Sequence, residues 1–114
     1  MTFVASKQQG SPPDADLDQA VDVLRLLADR TRLAILAMLQ GTEMSVNAIA
    51  ETLNRPGPAV SQHLAKLRSG RLVTARRDGT TIYYSQPDEH VAALVMNVLQ
   101  HTEHVLYGTP PHHK

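Results

Sequence analysis

The sequence contains no cysteine. Its absence removes disulfides, thiolate metal ligands and cysteine nucleophiles together. Long apolar runs are missing as well. None reaches the roughly 18 residues a membrane span needs, and the first residues lack the basic-then-apolar order of a secretion signal. A cytoplasmic protein with no membrane partner is therefore expected. Neither sign of charge is in excess, with 11 Lys plus Arg against 11 Asp plus Glu. The total gives no argument for a nucleic-acid partner, so only the distribution of charge can. Enzyme signatures are absent too: there is no His-Glu-x-x-His, no nucleophile elbow and no Gly-rich phosphate loop. A catalytic role is not expected.

What is present begins with length. A chain of 114 residues suffices for one domain. A domain of this size buries roughly 65% of its unfolded surface, and such domains often gain stability by dimerising. Histidine is unevenly placed. Of six, five follow residue 89: His90, His101, His104, His112 and His113, with His63 the sixth.

Residues 1–15, with Gln8, Gln9, Gly10, Ser11, Pro12 and Pro13, read as a loose tail. Residues 16–107 read as the ordered domain and 108–114 as a His-containing tail. Leu17, Val21, Leu24 and Ala28 make one stripe of a first helix from Leu17 to Ala28, broadened by Leu27. A second helix is expected from Thr31, as N-cap, to Leu39, stopped by Gly41. Ser45 can cap a short third helix, whose apolar face is Val46, Ile49, Ala50 and Leu53. Asn54-Arg55-Pro56-Gly57 signals a turn, and Pro58 suits the start of a fourth helix running to about Arg68. That helix buries Val60, Leu64 and Leu67 and shows Ser61, Gln62 and Lys66 outward.

The period then changes. The segments from Val73 to Arg77 and from Thr81 to Ser85 are strand-like, and Asp78-Gly79 between them signals a tight hairpin. A last helix is expected from Pro87 to about Glu103. Its apolar residues cover more than one stripe, which predicts packing on its own core and on a second surface, most simply a partner subunit.

The expected fold class is mainly α: a winged helix-turn-helix with a two-stranded β-hairpin wing and a C-terminal dimerisation helix. In this layout the second helix of the helix-turn-helix enters the major groove and the hairpin follows the backbone. Local charge agrees. From Thr52 to Arg77 there are six basic residues, Arg55, Lys66, Arg68, Arg71, Arg76 and Arg77, and no acidic one. Phosphate neutralisation needs such an excess. Ser61, Gln62 and His63 lie toward the N-terminal half of the fourth helix, which usually meets base edges, and Gln pairs bidentately with adenine. Arg76 and Arg77, expected at the hairpin tip with Thr80, suit phosphates or a minor groove. The plainer reading of His63 is a packing histidine.

Three segments carry a resemblance: Leu27-Ala-Asp-Arg-Thr-Arg-Leu-Ala-Ile-Leu, Val60-Ser-Gln-His-Leu-Ala-Lys-Leu-Arg, and Arg77-Asp-Gly-Thr-Thr-Ile-Tyr-Tyr. They resemble the ArsR/SmtB metal-sensing repressors over roughly residues 17–107. The resemblance implies a winged-helix homodimer that binds double-stranded operator DNA when metal-free and releases it on metal binding. Two features depart from the family. Gly70 is followed by Arg71-Leu72-Val73 where members often have Gly-Leu-Val directly, so the turn is expected to shift by a residue. The third helix also lacks the Cys used for arsenic, cadmium or lead.

On the last helix, His90 and His101 lie within about 20° of each other around the axis but about 16 Å apart along it, so one ion cannot take both from one helix. His101 and His104, three apart, can share an ion. Packing two such helices antiparallel brings Asp88 and His90 of one chain to His101 and His104 of the other. That set matches the family's last-helix sensor site for zinc, cobalt or nickel, and it completes a tetrahedron for zinc. Glu103 beside His104, with His112 and His113 on the tail, resembles the nickel- and cobalt-responsive branch, which recruits tail histidines for higher coordination. Glu103 is about 200° around the helix from His101, so the two sets compete. One is Asp88, His90, His101 and His104; the other is His90, Glu103, His104, His112 and His113. Nickel or cobalt is the expected ion, with zinc the runner-up. Asp88 read plainly is only a helix cap. A metal-insensitive winged-helix module that binds DNA or protein, or a regulator needing a second protein, would carry the same pattern.

Overall fold

The computed structural model describes residues 10–108. The order is α1 (Asp14–Leu27), α2 (Arg30–Met38), β1 (Glu43–Ser45), α3 (Val46–Leu53), α4 (Gly57–Ser69), β2 (Thr74–Asp78), β3 (Thr81–Ser85) and α5 (Glu89–Tyr107). This is the expected winged helix-turn-helix, with one addition. The sheet has three antiparallel strands in the order β1-β3-β2, so the hairpin carries a third strand along β3. Met44 pairs with Tyr84, and Tyr84 with Ala75. Three residues are too few to show a strand period, which is why β1 left no trace in the sequence pattern.

Local chemistry sets the helix starts. Asp14 and Asp16 occupy the first turn of α1, where the helix dipole favours carboxylates, and the Pro13 carbonyl accepts from the amides of Asp16 and Leu17. The helix therefore starts at Asp14, inside the segment expected to be tail. The cap of α2 is Asp29, not Thr31. Its carboxylate accepts from the Arg32 amide at 2.9 Å. Ser45 caps α3 as expected, accepting from Ala48 at 3.2 Å. Asn54 ends α3 in the left-handed region, with φ of 54°. Asn accepts that conformation readily, and it turns the chain into α4. Pro87 lies outside α5. Asp88 caps it, accepting from Val91 at 3.0 Å, and the helix continues past Glu103 to Tyr107.

After α4 the chain turns at Arg71, one residue beyond Gly70. Arg71 takes the left-handed conformation, with φ of 62°, while Gly70 stays at −87°. Gly70 is packed closely: a Cβ there would meet the end of the Leu26 side chain on α1, which would have to move.

The core joins Ile35, Leu36 and Leu39 from α2 and its end, Ile49 of α3, Val60, Leu64 and Leu67 of α4, and Leu72 and Val73. Each buried Leu or Ile contributes about 1.5–3 kcal/mol. The stripe of α1 foreseen from the sequence faces away from this core. Leu17, Val21 and Leu24 are exposed, and Leu27 is the buried residue of that helix. On α5, Val91 and Val95 are buried, while Met96, Val98, Leu99, Val105, Leu106 and Tyr107 are exposed.

Candidate nucleic-acid interface and sensor helix

The helix-turn-helix is α3 and α4. Val60, Leu64 and Leu67 pull one side of α4 into the core, so Ser61, Gln62, Lys66 and Arg68 are left on the outside. Arg55 is exposed in the turn before α4, and its amide donates to the Ala50 carbonyl at 3.0 Å. His63 is placed differently. It is half-buried, with Nδ1 3.4 Å from the Arg32 guanidinium and 3.9 Å from the Asp29 carboxylate. The hydrogen bond from the Arg32 amide, ahead of the nearby Arg32 charge, holds the Asp29 carboxyl below the ordinary carboxylate value, although partial burial opposes it.

In the wing, Asp78 pairs with Thr81 and closes the hairpin, leaving Gly79 and Thr80 at the tip. Thr80 and Arg77 are exposed. Arg76 is not at the tip: it pairs with Tyr83 in mid-strand. Its guanidinium reaches across the sheet to Glu43 of β1, with Nη2 2.6 Å and Nε 3.3 Å from the two carboxylate oxygens. It also lies 5.0 Å from the centre of the Tyr83 ring. The hydrogen bond from Arg76 lowers the Glu43 pKa and raises that of Arg76. The acid of this pair lies 33 residues from Arg76, on β1, beyond the reach of local charge patterning.

The remaining candidates lie on α5. Asp88 and His90 are exposed at its start, and His101 and His104 are exposed near its end, with Glu103 half-buried between them. At 1.5 Å per residue the two ends are about 16 Å apart. Among the described residues, no three His, Asp or Glu side chains gather where one ion could be held. His112 and His113 lie outside the described residues. Two details bear on whether these donors suit a metal. Asp88 uses one oxygen for the cap and keeps the other. His104 Nδ1 is 3.0 Å from the Gly108 carbonyl. A carbonyl only accepts, so Nδ1 carries the proton and Nε2 holds the lone pair, the arrangement of most metal-binding histidines. The donors are imidazole and carboxylate throughout, which fits zinc, nickel or cobalt.

Comparison with known proteins agrees with this geometry. A family model described as a helix-turn-helix domain matches residues 27–76. The HTH-type transcriptional regulator KmtR of Mycobacterium tuberculosis is 51% identical over 102 residues, covering 90% of this chain and 78% of the relative. The HTH-type transcriptional repressor SmtB of the same species is 37% identical over 90 residues, covering 79% and 67%. The solution structure of a homodimeric winged helix-turn-helix DNA-binding domain, Mb0332 from Mycobacterium bovis, described as a possible ArsR-family regulator, superposes with a TM-score of 0.79. It is 36% identical and covers 89% of this chain and 96% of that one. The chain belongs to the ArsR/SmtB family of winged-helix transcriptional regulators. The ArsR/SmtB relatives are regulators and not enzymes, in line with the missing catalytic signatures. No helix among the described residues is long and apolar enough to cross a membrane.

Proposed function

We propose that this regulator binds operator DNA as a homodimer in its metal-free state and releases it when nickel or cobalt binds at α5. The observation that carries the reading is the layout of α5: two pairs of donors at opposite ends of one exposed helix, with exposed apolar residues between and beyond them. Exposed Leu17, Val21 and Leu24 on α1 extend the apolar surface available to a second copy. That the Mb0332 domain is homodimeric supports a two-chain assembly. A second subunit with its α5 reversed supplies His101 and His104 to the Asp88 and His90 end. His90 and His104 belong to either ligand set, and Glu103, His112 and His113 extend the set toward six donors. A bound ion would supply a link between subunits. DNA contacts fall to Ser61, Gln62, Lys66 and Arg68 of α4, to Arg55, and to Arg76, Arg77 and Thr80 of the wing, with His63 beneath. Because its target is operator DNA, the protein acts in the cytoplasm.

Zinc is the second reading, favoured by the Asp88 oxygen that the cap leaves over. With Asp88 and three imidazoles the set is tetrahedral. Fluorescence anisotropy of an operator fragment separates these readings. Strong weakening by nickel or cobalt, and little by zinc, supports the first; equal or stronger action of zinc supports the second. A coupling of about 5–150-fold is the usual range. Operator affinity unmoved by any of the three ions would remove the sensing role.

A further inference from the structure

Where α1, α2 and α4 meet, a second set of contacts lies beneath the exposed face of α4. Arg32, in the first turn of α2, has a side chain only 12% exposed. Its Nε donates to the Leu26 carbonyl at 2.7 Å, and Nη2 donates to the Arg25 carbonyl at 3.3 Å, both in the last turn of α1. Nη1 faces His63 Nδ1, midway along α4, at 3.4 Å. The Asp29 carboxylate lies 3.7 Å from the same guanidinium.

The chemistry of the fork gives these contacts a direction. Guanidinium donates and never accepts, so the His63 nitrogen facing it is the lone-pair nitrogen. Carbonyls in the last turn of a helix lack intrahelical partners, and Arg32 satisfies two of them while it holds the ring. One planar cation thus ties the end of α1 to the middle of α4. Burial of Val60, Leu64 and Leu67 sets which side of α4 meets the core, and a directional contact fixes the finer rotation within that setting. A hydrogen bond is directional. His63 directly follows Ser61 and Gln62, so its rotation sets theirs.

We propose that Arg32 is a positioning residue for operator recognition, fixing the rotation of α4 against α1 through His63. This rests on α4 being the helix that enters the groove. Two half-sites must be met at once by helices about one DNA turn apart, so a small rotation in each subunit is felt twice.

The test is operator affinity and its salt dependence for Arg32→Met, His63→Leu, the double variant and His63→Asn, with Gln62→Ala as reference. Circular dichroism and mass in solution establish that each is folded and in the wild-type assembly. Arg32→Met and His63→Leu are each expected to weaken binding about tenfold, as loss of a charge-assisted bond does, and the double variant no more than either alone. His63→Asn, whose amide oxygen can stand near the Nδ1 position, restores most of the loss. The salt slope stays unchanged in all, since no phosphate contact is lost. Additive losses, or a slope lower by about one for His63→Leu, would show direct contact with DNA and overturn the proposal. So would unchanged binding by folded Arg32→Met. Should that variant not fold, Arg32→Lys takes its place, since an ammonium cannot span two carbonyls and a ring in one plane; unchanged binding there is equally fatal. If Gln62→Ala also binds normally, the assignment of α4 as reading helix fails. If it binds weakly while the Arg32 variants do not, only the positioning role fails.

Discussion

In α4, Val60, Leu64 and Leu67 are fully buried within 13 residues. In α5, which has 19 residues, only Val91 and Val95 are buried, and six large apolar side chains face outward. The helix-turn-helix is finished by contacts within its own chain. The last helix is held to α2 near its start, where Gln40 Nε2 donates to the Ala92 carbonyl at 3.3 Å and, in the linker before the helix, Gln86 Nε2 donates to the Leu36 carbonyl at 2.9 Å. Beyond Val95 it has little of its own core to rest on. Under the proposed function the difference separates two tasks: one chain would suffice to shape the DNA-reading surface, whereas the donors on α5 would converge only with those of a second chain.

Paired substitutions break this comparison most strongly. Leu64→Ala is expected to cost about 2–5 kcal/mol in chemical unfolding, as deletion of a fully buried leucine does. Leu24→Glu, on the exposed stripe of α1, leaves the circular dichroism spectrum of the chain intact but converts dimer to monomer in sedimentation equilibrium. A monomeric Leu24→Glu with lost helicity would mean that the two tasks are not separable.

A smaller effect is expected at Asp29. Asp29→Ala removes the cap of α2 and should cost about 1 kcal/mol at neutral pH. Because the folded carboxyl titrates below the unfolded one, its contribution is complete above the ordinary carboxylate range and is lost as pH falls through the lowered folded value. The gap between wild type and variant in urea titrations therefore narrows in acid. A gap that stays constant down to the acid limit would contradict the linkage.

The smallest change is a gain. Arg71 holds a left-handed conformation that glycine adopts without strain. Arg71→Gly is expected to stabilise the fold by about 0.5–1 kcal/mol, less the extra freedom it gives the unfolded chain. Thermal unfolding reads the sign.

Much of this architecture was legible because its elements are periodic. The faces of α3 and α4, the Ser45 cap and the Asp78-Gly79 turn follow from local spacing and turn chemistry. What escaped is either short or distant. β1 is three residues long. The α2 cap, expected at Thr31, is Asp29 two positions earlier, and backbone geometry decides it. The α1 stripe of Leu17, Val21 and Leu24 was legible as a stripe, but periodicity does not say which body it faces. The Arg32–His63 and Arg76–Glu43 pairings join residues more than thirty apart, beyond any local pattern. For the donors of α5, residue types and spacing were readable, while the convergence proposed for them involves a second chain and lies outside any pattern in one sequence.

The Glu43–Arg76 pair has a consequence for how the protein searches DNA. Its carboxylate occupies the arginine as a phosphate would, so a phosphate reaching the wing meets an internal competitor already in place. Under the proposed function, random sequence, offering only phosphates, would gain little from displacing it, whereas an operator that also engages α4 would hold the wing close while the exchange occurs. On that proposed mode of binding, the carboxylate would shorten each stop at the wrong sequence more than the stop at the right one.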